Sequence, residues 1–152
     1  MKFIDYIEKR NILLNIPFRS KKRLFEQLAK MMSGDENARD IYNALIKREK
    51  LGATSLGNGV AIPHANCLKD KEVRIAVLVL NKPVNYESVD ESLVQIVVCV
   101  LFPKQITENH HLMLQQVGKF FKKHRVYRDI IQATSAQEIK AIIMNEKNNK
   151  KD

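Results

Sequence analysis

Among the side chains of this 152-residue chain, its histidines, at positions 64, 110, 111 and 124, can best do chemistry near neutral pH. An imidazole with a reference pKa of about 6.5 keeps a free nitrogen lone pair there. His64 stands out by context. It closes the segment Leu51 to His64, LGATSLGNGVAIPH, in which Gly52, Gly57 and Gly59 fall close together. Such glycine-rich backbone bends tightly and brings N–H groups close to an anionic ligand. Thr54 and Ser55 add hydroxyls, Arg48 adds a cation, and Gly57, Asn58 and Gly59 add backbone donors. Together they fit a phosphoryl group carried on a bare nitrogen of His64, with donors around its oxygens.

Other chemistries fit less well. A metal site needs three or four ligands at recognisable spacing. His64 and Cys67 form one His-x-x-Cys pair, with neither a second such pair nor a helical His-x-x-x-His. No metal or other cofactor is expected. The same pair lacks the further support that a Cys–His nucleophile needs. The loop is not a phosphate-binding Walker loop, because the closing Gly-Lys-[Ser/Thr] is absent. Nor is it a dinucleotide fingerprint, because a helix rather than a strand precedes it.

The other histidines separate by helical phase. At about 100° per residue, His110 shares a face with Leu114, Val117 and Phe121. His111 shares a face with Gln115, Gly118 and Lys122. His110 is therefore expected to point inward, as a second active-site imidazole or as a satisfied core residue, and His111 to face solvent. His124 lies in a basic run and has no claim on function.

The elements that position these residues read as one α/β domain, a central mixed sheet flanked by helices. Residues 3–10 are expected as a short helix and Ile12 to Ile16 as a short strand. Ser20 is a plausible N-cap for a helix burying Leu24, Phe25, Leu28, Met31 and Met32, ended by Gly34. A second helix follows Asp35-Glu36-Asn37, buries Ile41, Leu45 and Tyr42, and ends at Gly52. Val73 to Leu80 and Leu93 to Phe102 are buried strands. The first is followed by a turn at Asn81-Lys82-Pro83 and the second is stopped by Pro103. Their near-continuous apolar runs call for a sheet covered on both faces. Helices are expected from Thr107 to about Lys123, from Tyr127 to Ala133, and after the capping box Ser135-Ala136-Gln137-Glu138. Residues 1–145 form the domain, and the charged, asparagine-rich residues 146–152 are expected to be disordered.

Composition narrows the setting. No apolar run approaches the roughly 20 residues that span a bilayer, so membrane insertion is not expected. Early acidic residues, Asp5 and Glu8, do not fit a signal peptide. Two cysteines, Cys67 and Cys99, fit a reducing compartment, and a cytoplasmic protein is expected. Cys99 reads as core, whereas Cys67 is open to either reading. The formal net charge of +9 raises nucleic acid as a partner, but its clusters are dispersed and lack aromatic interleaving, which disfavours that class.

The string from Arg48 to His64, R-E-x-L-G-x-T-x-x-G-N-G-V-A-I-P-H, resembles the active-site signature of enzyme IIA domains of the fructose/mannitol and nitrogen-regulatory class. These domains belong to the bacterial phosphoenolpyruvate-dependent phosphotransferase system. The resemblance runs on through Ile12 to Leu28, Leu93 to Pro103, and the helix with the second histidine. It implies that His64 accepts a phosphoryl group, at Nε2, from a phosphohistidine carrier protein, HPr or its nitrogen-branch counterpart. It further implies that His110 assists as the second histidine, that Arg48 neutralises charge, and that Thr54 lies near the phosphoryl group. Family members show His-Leu at the second site, so His111-Leu112 competes in alignment; downstream spacing and helical phase favour His110. The chain departs from the family at Gly52-Ala53-Thr54-Ser55, where members often have Gly-Ser-Thr-Gly, and in its high basicity.

A chain that ends after one domain, without an attached IIB or membrane domain, resembles a nitrogen-regulatory phosphocarrier that signals to target proteins by its phosphorylation state. Gly57-Asn58-Gly59 leans the same way. Pro63-His64-Ala65 leans towards the alternative, a sugar-specific component passing phosphate to a separate IIB protein. A third reading, from another class, is a basic nucleic-acid-binding or scaffold domain.

Overall fold

The two apolar strands organise the molecule. The structure, a computed structural model, describes residues 2–88, 90–145 and 148. Strands β4 (Arg74–Asn85) and β5 (Leu93–Pro103) run antiparallel, with Ile75 opposite Val100, Val77 opposite Val98 and Val79 opposite Ile96. Strand side chains alternate between faces, and here both faces are apolar. One presents Ile75, Val77, Val79, Ile96, Val98 and Val100. The other presents Ala76, Leu78, Leu80, Val97, Cys99 and Leu101. Each must be covered. Helices α3 (Glu108–Lys122), α4 (His124–Gln132) and α5 (Ala136–Met144) cover the first; α1 (Lys21–Met32) and α2 (Ala38–Lys50) cover the second.

Strand β1 (Ile7–Ile16) pairs parallel with β4. On the far side, β2 (Val60–Ala61) and β3 (His64–Leu68) both pair parallel with β5. The sheet is therefore mixed, in the order β1-β4-β5-β2, with β3 further along the same edge of β5. Val60 and Ala61 face Ile96 and Val97, and His64 and Ala65 face Val100 and Leu101, in one continuous register. Thus β2 and β3 behave as a single strand broken at Pro63, which has no N–H for the ladder. Its carbonyl still accepts from Val100 N–H at 3.0 Å.

The α/β architecture, the two central strands and the helices on both faces are those read from the sequence. Helix starts agree as well: Ser20 accepts Arg23 N–H at 3.1 Å, and Asn37 accepts Arg39 N–H at 2.9 Å. Local readings fail where tertiary pairing intervenes. The helix expected over residues 3–10 is only a 3-10 turn, Phe3–Tyr6, because pairing of Ile7 with Ile75 starts β1 early. Asn81-Lys82-Pro83 is no turn. Strand β4 passes through it with a register shift and re-pairs at Val84 and Asn85 with Val94 and Leu93. Ser135 does open α5, accepting the Glu138 N–H at 3.1 Å, but the Glu138 side chain binds the Thr134 hydroxyl at 2.8 Å in place of the returning bond of a capping box. The stretch expected to be disordered lies outside the described residues apart from Asn148. That residue is 4% exposed and accepts from Lys123 at 2.6 Å and Arg125 at 3.0 Å. Among the described residues no helix is long and apolar enough to cross a membrane.

Candidate functional site

The break at Pro63 sets His64 as the first residue of β3, at the end of the sheet where α2 stops and α3 begins. A cleft of about 440 Å³ opens there. Lys47, Arg48 and Leu51 come to it from the end of α2, and His110, His111 and Leu114 from α3. Phe102 and Ile106 connect these walls, and His64 lies among them.

His64 is half-buried, and its Nδ1 lies 2.9 Å from the Ile62 carbonyl oxygen. A carbonyl only accepts, so Nδ1 carries the proton and Nε2 is bare. Burial, foremost, holds the ring pKa below the usual 6.5. The Ile62 bond opposes that shift, Arg48 adds to it, and Glu49 also opposes it. At neutral pH the ring is uncharged, with a lone pair on Nε2.

His110 has the complementary arrangement. It is the third residue of α3, and its Nδ1 accepts the Thr107 N–H at 3.0 Å while Thr107 caps the helix. A neutral ring whose Nδ1 accepts carries its proton on Nε2. His110 is 7% exposed and its ring packs 5.4 Å from that of Phe102, centre to centre. His111 is exposed, as helical phase indicates. The cleft therefore holds one imidazole with a bare Nε2 and one with an Nε2–H donor.

Arg48 joins the cleft and donates from Nη1 to the Gly52 carbonyl at 3.1 Å. The rest of the expected cradle does not. Thr54 is 7% exposed and turned inward. Its hydroxyl donates to Glu49 Oε1 at 2.7 Å and its N–H to Glu49 Oε2 at 3.2 Å. Ser55 bridges Ala61, and Leu56 N–H donates to the Val60 carbonyl at 2.8 Å, closing a tight turn behind His64. Gly57 and Asn58 lie in this turn and do not line the cleft. Gly59 has a φ of +81°, and a Cβ there would sit 2.5 Å from the Tyr127 hydroxyl. The glycines thus serve the handedness of the turn and its packing under α4. Thr54, Ser55, Gly57, Asn58 and Gly59 do not line the cleft, and their bonds and contacts run to Glu49, Ala61 and Tyr127.

Lys47 and Asn66, not singled out from the sequence, also line the cleft. Glu49 and Lys21 support it from inside, bridged at 3.0 Å. Glu49 stood in the quoted string beside Arg48, which was a usable signal. Lys21 carried none, since the approach of α1 to the end of α2 is a tertiary event.

The chain belongs to the enzyme IIA family described as "Phosphoenolpyruvate-dependent sugar phosphotransferase system, EIIA 2", whose model matches residues 5–146. It is 33% identical over 139 residues to the nitrogen regulatory protein of Pseudomonas aeruginosa, covering 90% of each chain. The crystal structure of nitrogen regulatory protein IIA-Ntr from Neisseria meningitidis superposes with a TM-score of 0.87 at 29% identity, covering 93% of this chain and 99% of that one. The mannitol enzyme IIA of Escherichia coli, solved in complex with phosphorylated enzyme IIB, shares the fold at 16% identity and a TM-score of 0.74, covering 90% of this chain and 97% of that one. Within the family, this is a phosphotransferase-system phosphocarrier of the nitrogen-regulatory type.

Proposed function

We propose that His64 accepts a phosphoryl group on Nε2 from a phosphohistidine of an HPr-like carrier protein, and that target proteins in the cytoplasm read the resulting state. The observation that carries this reading is the 2.9 Å bond from Nδ1 to the Ile62 carbonyl, which leaves Nε2 as the nucleophile. The Nε2 lone pair forms the new N–P bond as the donor's N–P bond breaks, and that electron pair returns to the donor imidazole. The Nδ1 proton stays against Ile62, whose carbonyl dipole stabilises the positive charge gained by the ring. Arg48 neutralises the phosphoryl oxygens and the Nε2–H of His110 donates a hydrogen bond to them.

Phosphorylation brings three anionic acceptor oxygens, offset in part by the charge on the ring, into a cleft walled by Lys47 and Arg48. A target docking there meets a basic cleft in one state and a neutralised one in the other. Transfer onward to a separate IIB cysteine is the second reading, favoured by a 26% identity over 146 residues to the fructose-specific EIIABC component of Bacillus subtilis, covering 94% of this chain and 23% of that one.

The test is intact-protein mass spectrometry after mixing with a phosphoenolpyruvate-fed carrier chain. One acid-labile phosphoryl group is expected on the wild-type protein and none on His64→Ala. A full adduct on that variant refutes the site. Rapid loss of the label to a IIB cysteine replaces the regulatory reading with the sugar-specific one.

A further inference from the structure

The Lys21–Glu49 ion pair is poorly explained by the helices that carry it. Its side chains are 16% and 6% exposed. Lys21 opens α1, whose first turn reads Lys21, Lys22, Arg23 and Leu24, so its ammonium stands at the positive end of the helix dipole. Glu49 lies in the last turn of α2, at the negative end. Each charge sits where its own helix disfavours it. Apolar residues of similar volume in place of a buried pair are often neutral or stabilising. Stability alone therefore does not account for these two residues.

What the pair does hold is the backbone that leads to His64. The Glu49 carboxylate takes both donors of Thr54, the hydroxyl at 2.7 Å and the N–H at 3.2 Å. The Thr54 carbonyl accepts the Ile62 N–H at 3.0 Å. The Ile62 carbonyl accepts from His64 Nδ1 at 2.9 Å. A continuous set of hydrogen bonds thus links the carboxylate to the ring. Ile62 depends on it, because Pro63 breaks the strand next to it and, among the described residues, no strand lies beyond β2 and β3. Its N–H and carbonyl, both turned from β5, are taken by the Thr54 carbonyl and the His64 ring. Lys21 neutralises the carboxylate and spreads over the buried Tyr86 ring at 4.5 Å, which fixes the far end.

The geometry points to Glu49, held by Lys21, as a positioning residue that keeps His64 in the Nδ1–H tautomer by anchoring Thr54 and Ile62. Its consequence for phosphoryl transfer rests on His64 being the acceptor. The tautomer itself is measurable with no phosphoryl donor present, so the two readings fail separately.

The experiment is ¹⁵N NMR of the imidazoles in the unphosphorylated protein, followed by carrier-fed phosphorylation kinetics. Wild-type His64 is expected with its proton on Nδ1. Glu49→Ala leaves Lys21 unpaired and is liable to unfold, so the main variant is the double change K21M/E49L, which removes both charges. Folded K21M/E49L is expected to show His64 in a mixture of tautomers. Its kcat should fall about tenfold at unchanged KM, as expected for a misplaced reacting group. K21M/E49Q, which strands no cation and whose amide oxygen still accepts the Thr54 N–H, should restore the tautomer. A folded K21M/E49L whose His64 keeps its proton on Nδ1 overturns the positioning role. A wild-type His64 that takes no phosphoryl group overturns the acceptor reading instead.

Discussion

Arg48 and Glu49 are consecutive residues of α2, yet they belong to different regions of the molecule. Arg48 turns to the cleft with His64 and His110. Glu49 turns inside, to Lys21 and Thr54. Neighbours on a helix point about 100° apart, so one short string can serve two environments. The cleft region is open, basic and built from side chains reaching out of α2, β3 and α3. The inner region is nearly closed to solvent, and one carboxylate there ties the Lys21 ammonium to the hydroxyl and N–H of Thr54. One short string thus mixes residues that face the cleft with residues that hold the loop beside it.

That contrast breaks most sharply at His64. His64→Ala should abolish the phosphoryl adduct with no loss of helical circular dichroism, since the ring stands at the cleft and not in the core. Glu49→Ala should act in the opposite sense, lowering stability by about 3 kcal/mol in urea titration because it strands a buried cation. A Glu49→Ala protein of wild-type stability would erase the distinction between the regions. His110 belongs to both, as a cleft donor and a helix cap. His110→Ala should slow transfer roughly a hundredfold and cost about 1 kcal/mol through the lost Thr107 bond. Gly59→Ala tests the turn behind the cleft. A left-handed φ and the Tyr127 contact predict a loss of about 2 kcal/mol, with part of it regained when Tyr127→Ala is added.

The smallest effect is the dependence on pH. His64 has Arg48, Glu49, Lys47, His110 and His111 around it, and burial leads its pKa downward. A histidine with a lowered folded pKa leaves the unfolded chain binding more protons at mildly acidic pH. Its contribution to stability is thus complete above the unfolded value of about 6.5 and is lost as pH falls through the lowered folded value. NMR titration should place the His64 midpoint below 6.5, and phosphoryl acceptance should persist to that lower pH. A midpoint above 6.5 would mean that the Ile62 bond and Glu49 outweigh burial.

Much of this was legible in the residues. Leu93 to Phe102 could only be a doubly covered strand, and helical phase was enough to send His110 inward and His111 outward. Ser20 and Asn37 announced their helices because a cap is a local bond. Three features were not legible. The two residues of β2 are too few for a period-2 pattern, and β3 is polar where it meets the cleft. The passage of β4 through Pro83 depends on a register shift that its partner strand imposes. The packing of the glycine loop was not legible, because φ and close approach put glycine in phosphate cradles and packed turns alike, and Tyr127 lying over Gly59 is a tertiary contact.

The break at Pro63 has a consequence for solubility. An open sheet edge offers unpaired backbone groups on which another chain can nucleate. On the β2–β3 edge, the Ile62 amide and carbonyl are already taken by Thr54 and His64. With the outward groups of Ile62 occupied and Pro63 next to it, this edge has little room for a foreign strand to grow.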